Sequence, residues 1–158
     1  MASLLSLFLA LVLTFDLLIL VDISDRKLYL IQNDNIISQY EIAVPRYRFS
    51  KTLEGEVVKI EKNPWWYPTE NIRREYKERT GKELPKAIPP GDPRNAMGVA
   101  KLIIRFYNSN QPFRIHGTNQ EESIGRAVTH GCIRLRNKDV LDLIEKIENK
   151  KVKVVIQE

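Results

Sequence analysis

Short runs in which apolar and polar residues alternate make up most of the chain, and they predict a protein built mainly of strands. Residues 18–31 hold two β-rich runs around the polar turn Ser24-Asp25-Arg26-Lys27. Asp34-Asn35 marks a second turn, followed by a strand over 36–44, a loop over 45–55 and a strand over 57–62. Residues 99–107 and 113–116 read as two further strands around the turn at 108–112, and 152–156 as a last one. Only two stretches read as helix. Residues 71–80 are highly charged and stop at Gly81, with Ile72 and Tyr76 placed i, i+4 to dock them. The remainder of that helix is a solvated face or a lid. Residues 138–148 put Val140, Leu143, Ile144 and Ile147 on one face behind Asn137, which reads as the N-cap. The expected architecture is β-rich α+β: two packed sheets or an open barrel, with one or two peripheral helices.

Two stretches break the alternation. Residues 1–15 are an apolar run of Leu, Phe, Val and Ala resembling the core of a secretory signal. No Lys or Arg precedes it, no small-x-small cleavage site follows, and Asp16 interrupts it before the roughly 20 residues a membrane span needs. We take residues 1–17 as a signal-like or anchoring leader, ahead of the alternative of a buried N-terminal strand, and 18–158 as the domain. The second stretch is Asn63-Pro64-Trp65-Trp66-Tyr67-Pro68-Thr69, which holds both tryptophans. It is expected to wedge a long loop onto the core rather than touch a ligand. Residues 84–98, rich in Pro and Gly, form an irregular connection.

Composition narrows the function more than the fold. A length of 158 residues suits one domain, and 43% hydrophobic with 28% charged residues is ordinary for a globular protein. The net charge of +5 is spread along the chain among acids, with no zinc-ligand set or recognition motif, so a solvated basic surface is expected and no nucleic-acid partner. A single cysteine excludes an internal disulfide and, lying far from the N-terminus, a lipid anchor there. One Cys and two His support a metal or redox site poorly.

The chemistry concentrates in residues 114–137, RIHGTNQEESIGRAVTHGCIRLRN, which contain that cysteine, Cys132, and both histidines. Cys132 is the candidate nucleophile. A free thiol is only a few per cent thiolate near neutral pH, so it needs a base or a positive field. Arg114, Arg126, Arg134 and Arg136 are expected to favour the thiolate and to attract a substrate carboxylate. His116, at a strand end, is the candidate base. His130, two residues before Cys132, is a rival on the same side of an extended segment. Acyl transfer also needs oxyanion donors, for which the amides of Gly131, Cys132 and His130 are candidates. Thr129 can hydrogen-bond within the loop. Arg134 either holds a substrate carboxylate or pairs internally with Asp139.

His116-Gly117-Thr118 and Thr129-His130-Gly131-Cys132-Ile133-Arg134-Leu135-Arg136-Asn137 together resemble the catalytic signature of the L,D-transpeptidases of the YkuD type. Thr129 stands where Ser is commoner, and the family often has another residue, such as Lys, at position 130. The insert over 63–98 resembles the ErfK/YbiS-like branch, and the Val21-Asp22-Ile23-Ser24 element before Leu28-Tyr29-Leu30 resembles the family's opening hairpins. Thr52-Leu53-Glu54-Gly55 lacks the prolines that usually stiffen the loop there. The resemblance implies a cysteine L,D-transpeptidase that needs no metal or organic cofactor. Peptidoglycan tetrapeptide stems would be its substrate, D-alanine its leaving group, and the Gly117 carbonyl the group that orients His116. The acceptor would be another stem's amine, a lipoprotein lysine or, in a carboxypeptidase or hydrolase, water. Carbapenems would trap Cys132. Export to the periplasm or cell envelope follows from the same resemblance. A catalytically silent wall-binding module is the alternative of another class.

Overall fold

A computed structural model describes residues 15–158. In chain order it has β1 (Leu17–Asp22), β2 (Lys27–Gln32), β3 (Asn35–Glu41), β4 (Val44–Pro45) and β5 (Leu53–Lys62). The helix α1 (Glu70–Thr80) precedes β6 (Ala100–Phe106) and β7 (Phe113–His116). A 3-10 turn (Glu121–Ser123), β8 (Ala127–Thr129), β9 (Ile133–Arg134), α2 (Asn137–Ile147) and β10 (Val152–Gln157) complete it.

Eight strands make one sheet in the order β3-β2-β1-β10-β5-β6-β7-β9, and β4 pairs with β8 in a small second one. The residues just after β3, at one edge, bond to β9, at the other: Ala43 and Arg134 exchange backbone hydrogen bonds at 2.9 and 3.1 Å. The sheet must therefore curl, giving an eight-stranded half-barrel in which the opposite edges meet. Of the two expected architectures, the open barrel forms.

Strand alternation decides what fills it. Leu17, Ile19 and Val21 of β1, Val152, Val154 and Ile156 of β10, Leu102 and Ile104 of β6, and Phe113 and Ile115 of β7 point inward and are buried. Helix α2 adds Val140, Leu143, Ile144 and Ile147, all buried, to the same cluster. Each such side chain contributes on the order of 1.5–3 kcal/mol of transfer free energy before the entropy of ordering is subtracted. The last strand, β10, lies inside the sheet, parallel to β1 and antiparallel to β5.

Two boundaries differ from the sequence reading. Leu17 belongs to β1, where it pairs with Val152; the leader proper lies outside the described residues. Strand β5 starts at Leu53, not 57, because Leu53 to Glu56 pair with β10. That pairing is long-range and leaves no trace in the local Thr-Leu-Glu-Gly-Glu composition.

Candidate active site

Strands β7 and β9 run parallel, with Ile115 opposite Ile133 and His116 opposite Arg134. Both isoleucines are fully buried in the core. Alternation then sends Arg114, His116, Arg134 and, one residue before β9, Cys132 to the other face. Beyond that face opens a cavity of about 920 Å3, lined by Cys132, Arg114 and Arg134. The nucleophile and base candidates thus reach one side of the sheet because their neighbours are needed on the other.

His116 is 3% exposed, and its Nδ1 donates to its neighbour's carbonyl, Gly117 O, at 2.5 Å. A carbonyl only accepts, so Nδ1 carries the proton and Nε2 keeps its lone pair. Burial pulls the imidazole pKa down to about 4, against the Gly117 bond; the charges of Arg134, Arg114 and Lys101 pull the same way as burial. The ring is therefore neutral near pH 7 and able to take a proton at Nε2.

The turn that aims it is held from a distance. Asn137 Oδ1 accepts from the amides of Thr118 (3.1 Å) and Val99 (3.3 Å), and Nδ2 donates to Thr118 O at 2.8 Å. A Cβ on Gly98 would meet both Thr118 N and Asn137 Oδ1 at 2.3 Å, and Gly98 sits at φ +64°. One on Gly117 would meet Asn137 Oδ1 at 2.3 Å as well. Asn137 is thus not the N-cap expected of it. Arg136 occupies that place without a side-chain bond, Asn137 is the first helical residue, and its own amide donates to Glu121 Oε1 at 2.9 Å. The side chain is drawn off the helix end by two backbone amides that would otherwise be unpaired.

Cys132 is half-buried and free. Its thiol pKa is raised, not lowered: burial outweighs the Arg114 amide and the charges of Arg114 and Arg134. Arg114 and Arg134 do favour the thiolate, as expected, but desolvation penalises the charged form more than they favour it. Behind it, buried Thr129 donates from Oγ1 to Cys132 O at 2.6 Å and receives the Gly131 amide at 3.4 Å, fixing the turn 129–132.

The other candidates separate. His130 is exposed, and its Nε2 lies 2.7 Å from Arg46 Nη2 and 3.1 Å from Glu75 Oε2 of α1. Arg134 does not pair with Asp139, which lies 3.9 Å from Arg136 instead. Register explains this: Arg134 points into the cavity, where Nη1 reaches Ser123 Oγ at 3.4 Å, while Arg136 also approaches Glu41 at 3.7 Å.

The aromatic stretch is also corrected. Trp65 is 49% and Tyr67 67% exposed, and with Trp66, Tyr47 and Tyr76 they line the cavity rather than wedge the core. Leu84, Ile88 and Met97 bury themselves instead, as does Asn95. Asn95 Nδ2 donates to Pro64 O (3.0 Å) and Pro89 O (3.1 Å), and Oδ1 accepts from Met97 N at 2.9 Å. Neither Asn95 nor the role of Asn137 was legible in the sequence, since a polar residue in a loop carries no sign of being buried.

Helix α1 is capped by Thr69, whose Oγ1 accepts from Ile72 N at 3.2 Å, and closed by Gly81. It has no buried residue, yet Ile72, Glu75, Tyr76 and Arg79, spaced as one helical face, line the cavity. The docking pair expected at Ile72 and Tyr76 therefore faces the cavity, and the helix forms its wall. Among the described residues no cluster of three or more His, Cys, Asp or Glu could hold a metal, and no helix is long and apolar enough to cross a membrane.

The sequence pattern of the L,D-transpeptidase catalytic domain (YkuD) matches residues 16–156. The chain belongs to this family. It is 35% identical over 133 residues to a protein of Escherichia coli K12 described as a probable L,D-transpeptidase ErfK/SrfK, covering 82% of this chain and 40% of that one. It is 43% identical over 84 residues to the probable L,D-transpeptidase YbiS of the same organism, covering 53% and 25%. The chain thus spans well under half the length of these relatives. Among solved structures, an L,D-transpeptidase from Mycobacterium smegmatis superposes with a TM-score of 0.58 at 15% identity, covering 91% of this chain and 59% of that one. L,D-transpeptidase 3 of Mycobacterium tuberculosis, in complex with a faropenem-derived adduct, gives 0.59 at 12% identity, covering 91% and 61%. At that identity these two likenesses concern the fold: strands curled into a half-barrel with peripheral helices.

Proposed function

We propose that the chain is a cysteine L,D-transpeptidase acting on tetrapeptide stems of peptidoglycan in the cell envelope. One observation carries the reading: adjacent parallel strands bring Cys132, which lines a large cavity, and a buried, neutral, tautomer-locked His116 to the same face of the sheet. Cys132 Sγ attacks the carbonyl between the diamino acid's L-centre and the terminal D-alanine. His116 Nε2 takes the thiol proton as the S–C bond forms, and the oxyanion accepts from the Cys132 amide and from that of Gly131 as it leaves its long bond to Thr129 Oγ1. Collapse breaks the C–N bond, His116 returns its proton to the leaving D-alanine amine, and a thioester remains on Cys132. An acceptor amine attacks the thioester and restores the thiol. The acceptor is another stem's side-chain amine or a lipoprotein lysine, and the apolar run before Asp16 serves as leader or anchor, Leu17 being part of β1.

The test is product analysis by mass spectrometry after incubation with disaccharide tetrapeptides, with and without an amine acceptor. Loss of alanine with dimer formation supports transfer. Loss of alanine alone makes the enzyme a carboxypeptidase, and no acyl adduct on Cys132 overturns the mechanism. His116→Ala is expected to abolish acylation, whereas His130→Ala only weakens it, in keeping with a ring whose contacts are Arg46 and Glu75.

A further inference from the structure

The cavity wall carries more positive charge than the protein neutralises. Six cations line it, Arg79, Arg94, Lys101, Arg114, Arg126 and Arg134, against two carboxylates, Glu75 and Glu122. Three of the six are occupied. Arg94 is bound to Asp92 at 2.7 Å, Lys101 to Glu61 at 3.2 Å, and Arg79 lies over the ring of Tyr76 at 5.5 Å. Glu75 is taken by His130. Arg114, Arg126 and Arg134 have no carboxylate within ion-pair distance among the described residues. Glu122 affects Arg134 only at longer range.

These three are built into the site. Arg114 and Arg134 stand on β7 and β9, one beside Cys132 in the register and one opposite His116. Arg126 has a fixed backbone, its amide bonded to Ser123 O (3.1 Å) and its carbonyl to Val44 N (3.0 Å), while its side chain reaches the cavity. Arg114 and Arg134 are half-buried and Arg126 is exposed; a half-buried guanidinium without an anion costs stability, which a carboxylate arriving in a bidentate pair offsets.

We propose that Arg114, Arg126 and Arg134 form a receptor for the free carboxylates of the stem. They would take the carboxylate of the leaving D-alanine, that on the side chain of the diamino acid, and that of the residue before it. The enzyme would thus select stems whose internal carboxyl groups are unamidated and whose diamino acid is itself a diacid. The inference rests on the transpeptidase reading and adds the substrate's charge to it.

The experiment compares two synthetic tetrapeptide stems built on a diamino diacid, one with both internal carboxyls free and one with both as primary amides. kcat/KM for acylation of Cys132 is measured for each, and Kd for each on the Cys132→Ser protein. The diamide is expected to lose about tenfold or more in both, given the usual strength of charge-assisted hydrogen bonds. Added salt should shrink the gap, and Arg126→Gln, at a surface side chain that folding does not need, should narrow it. Equal values for the two peptides, or a preference for the diamide, overturn the receptor and leave the transpeptidase reading intact. If neither peptide acylates Cys132, the transpeptidase reading fails, and the Kd comparison still decides the receptor.

Discussion

At the scale of the residue, the site rests as a neutral thiol and a neutral imidazole on one face of the sheet. Burial raises Cys132 and lowers His116, so no thiolate–imidazolium pair is stored. In the proposed mechanism the proton therefore moves as Cys132 attacks. The acid limb of β-lactam acylation at Cys132, followed by mass spectrometry, is therefore expected near pH 4, with little change between pH 5.5 and 8. A limb near 6.5 would mean a solvated His116 and would rule out the buried base. The same shift predicts a stability change. The folded-state pKa of His116 lies below the unfolded one, so the unfolded chain takes up the proton first as pH falls. The stabilisation is complete above about pH 6.5 and drains away toward pH 4, by about 3 kcal/mol. Urea unfolding across that window should show the drop in the native protein, and His116→Gln should lack its share of it.

Among the elements, the turn after β7 depends on the first residue of α2. Asn137 serves two backbone amides and one carbonyl that no strand pairing could reach. Asn137→Ala is expected to cost about 2–4 kcal/mol in chemical denaturation, for the lost bonds and the orphaned amides. It should also slow acylation, because Gly117 O would no longer hold the His116 ring. A loss of stability without any loss of rate in the folded fraction would show that the turn aims the ring unaided. Gly98→Ala should act on the same turn, since its Cβ would collide with Thr118 N and Asn137 Oδ1. The strands, the turns at 24–27 and 34–35, and the amphipathic α2 were legible from periodicity because each needs only its own residues. The start of β5 and the work of Asn137 were not, because each is set by a partner far along the chain.

For the molecule as a whole, the half-barrel and the insert over 63–98 divide the labour. The sheet buries the core and carries Cys132 and His116, while the insert supplies one wall of the cavity. Its own anchors are Leu84, Ile88 and Asn95, so Ile88→Ala is expected to destabilise by about 2–5 kcal/mol. Trp65→Ala and Tyr67→Ala should leave the unfolding midpoint nearly unchanged, since both side chains are largely in solvent, and should raise KM for the stem. A large fall in Tm for Trp65→Ala would restore the wedge that the sequence suggested. Aromatic residues in a loop look alike whether they pack or wait for a ligand, because both uses want the same apolar surface.

What the linear order of residues decided is the local and the chemical: alternation for the strands, an amphipathic period for α2, and a Cys-His signature at fixed offsets for the site. Each of these depends on neighbours in the chain. Only the folded molecule decided which charges are paired, how much water is lost and which face a side chain meets. Those are through-space quantities, and they set the weight of each role expected of the arginines around Cys132. In sequence they are expected both to favour a thiolate and to attract a carboxylate. In the cavity, desolvation outweighs them at the sulfur, and three guanidiniums are left without a carboxylate partner among the described residues, the ground of the proposed receptor.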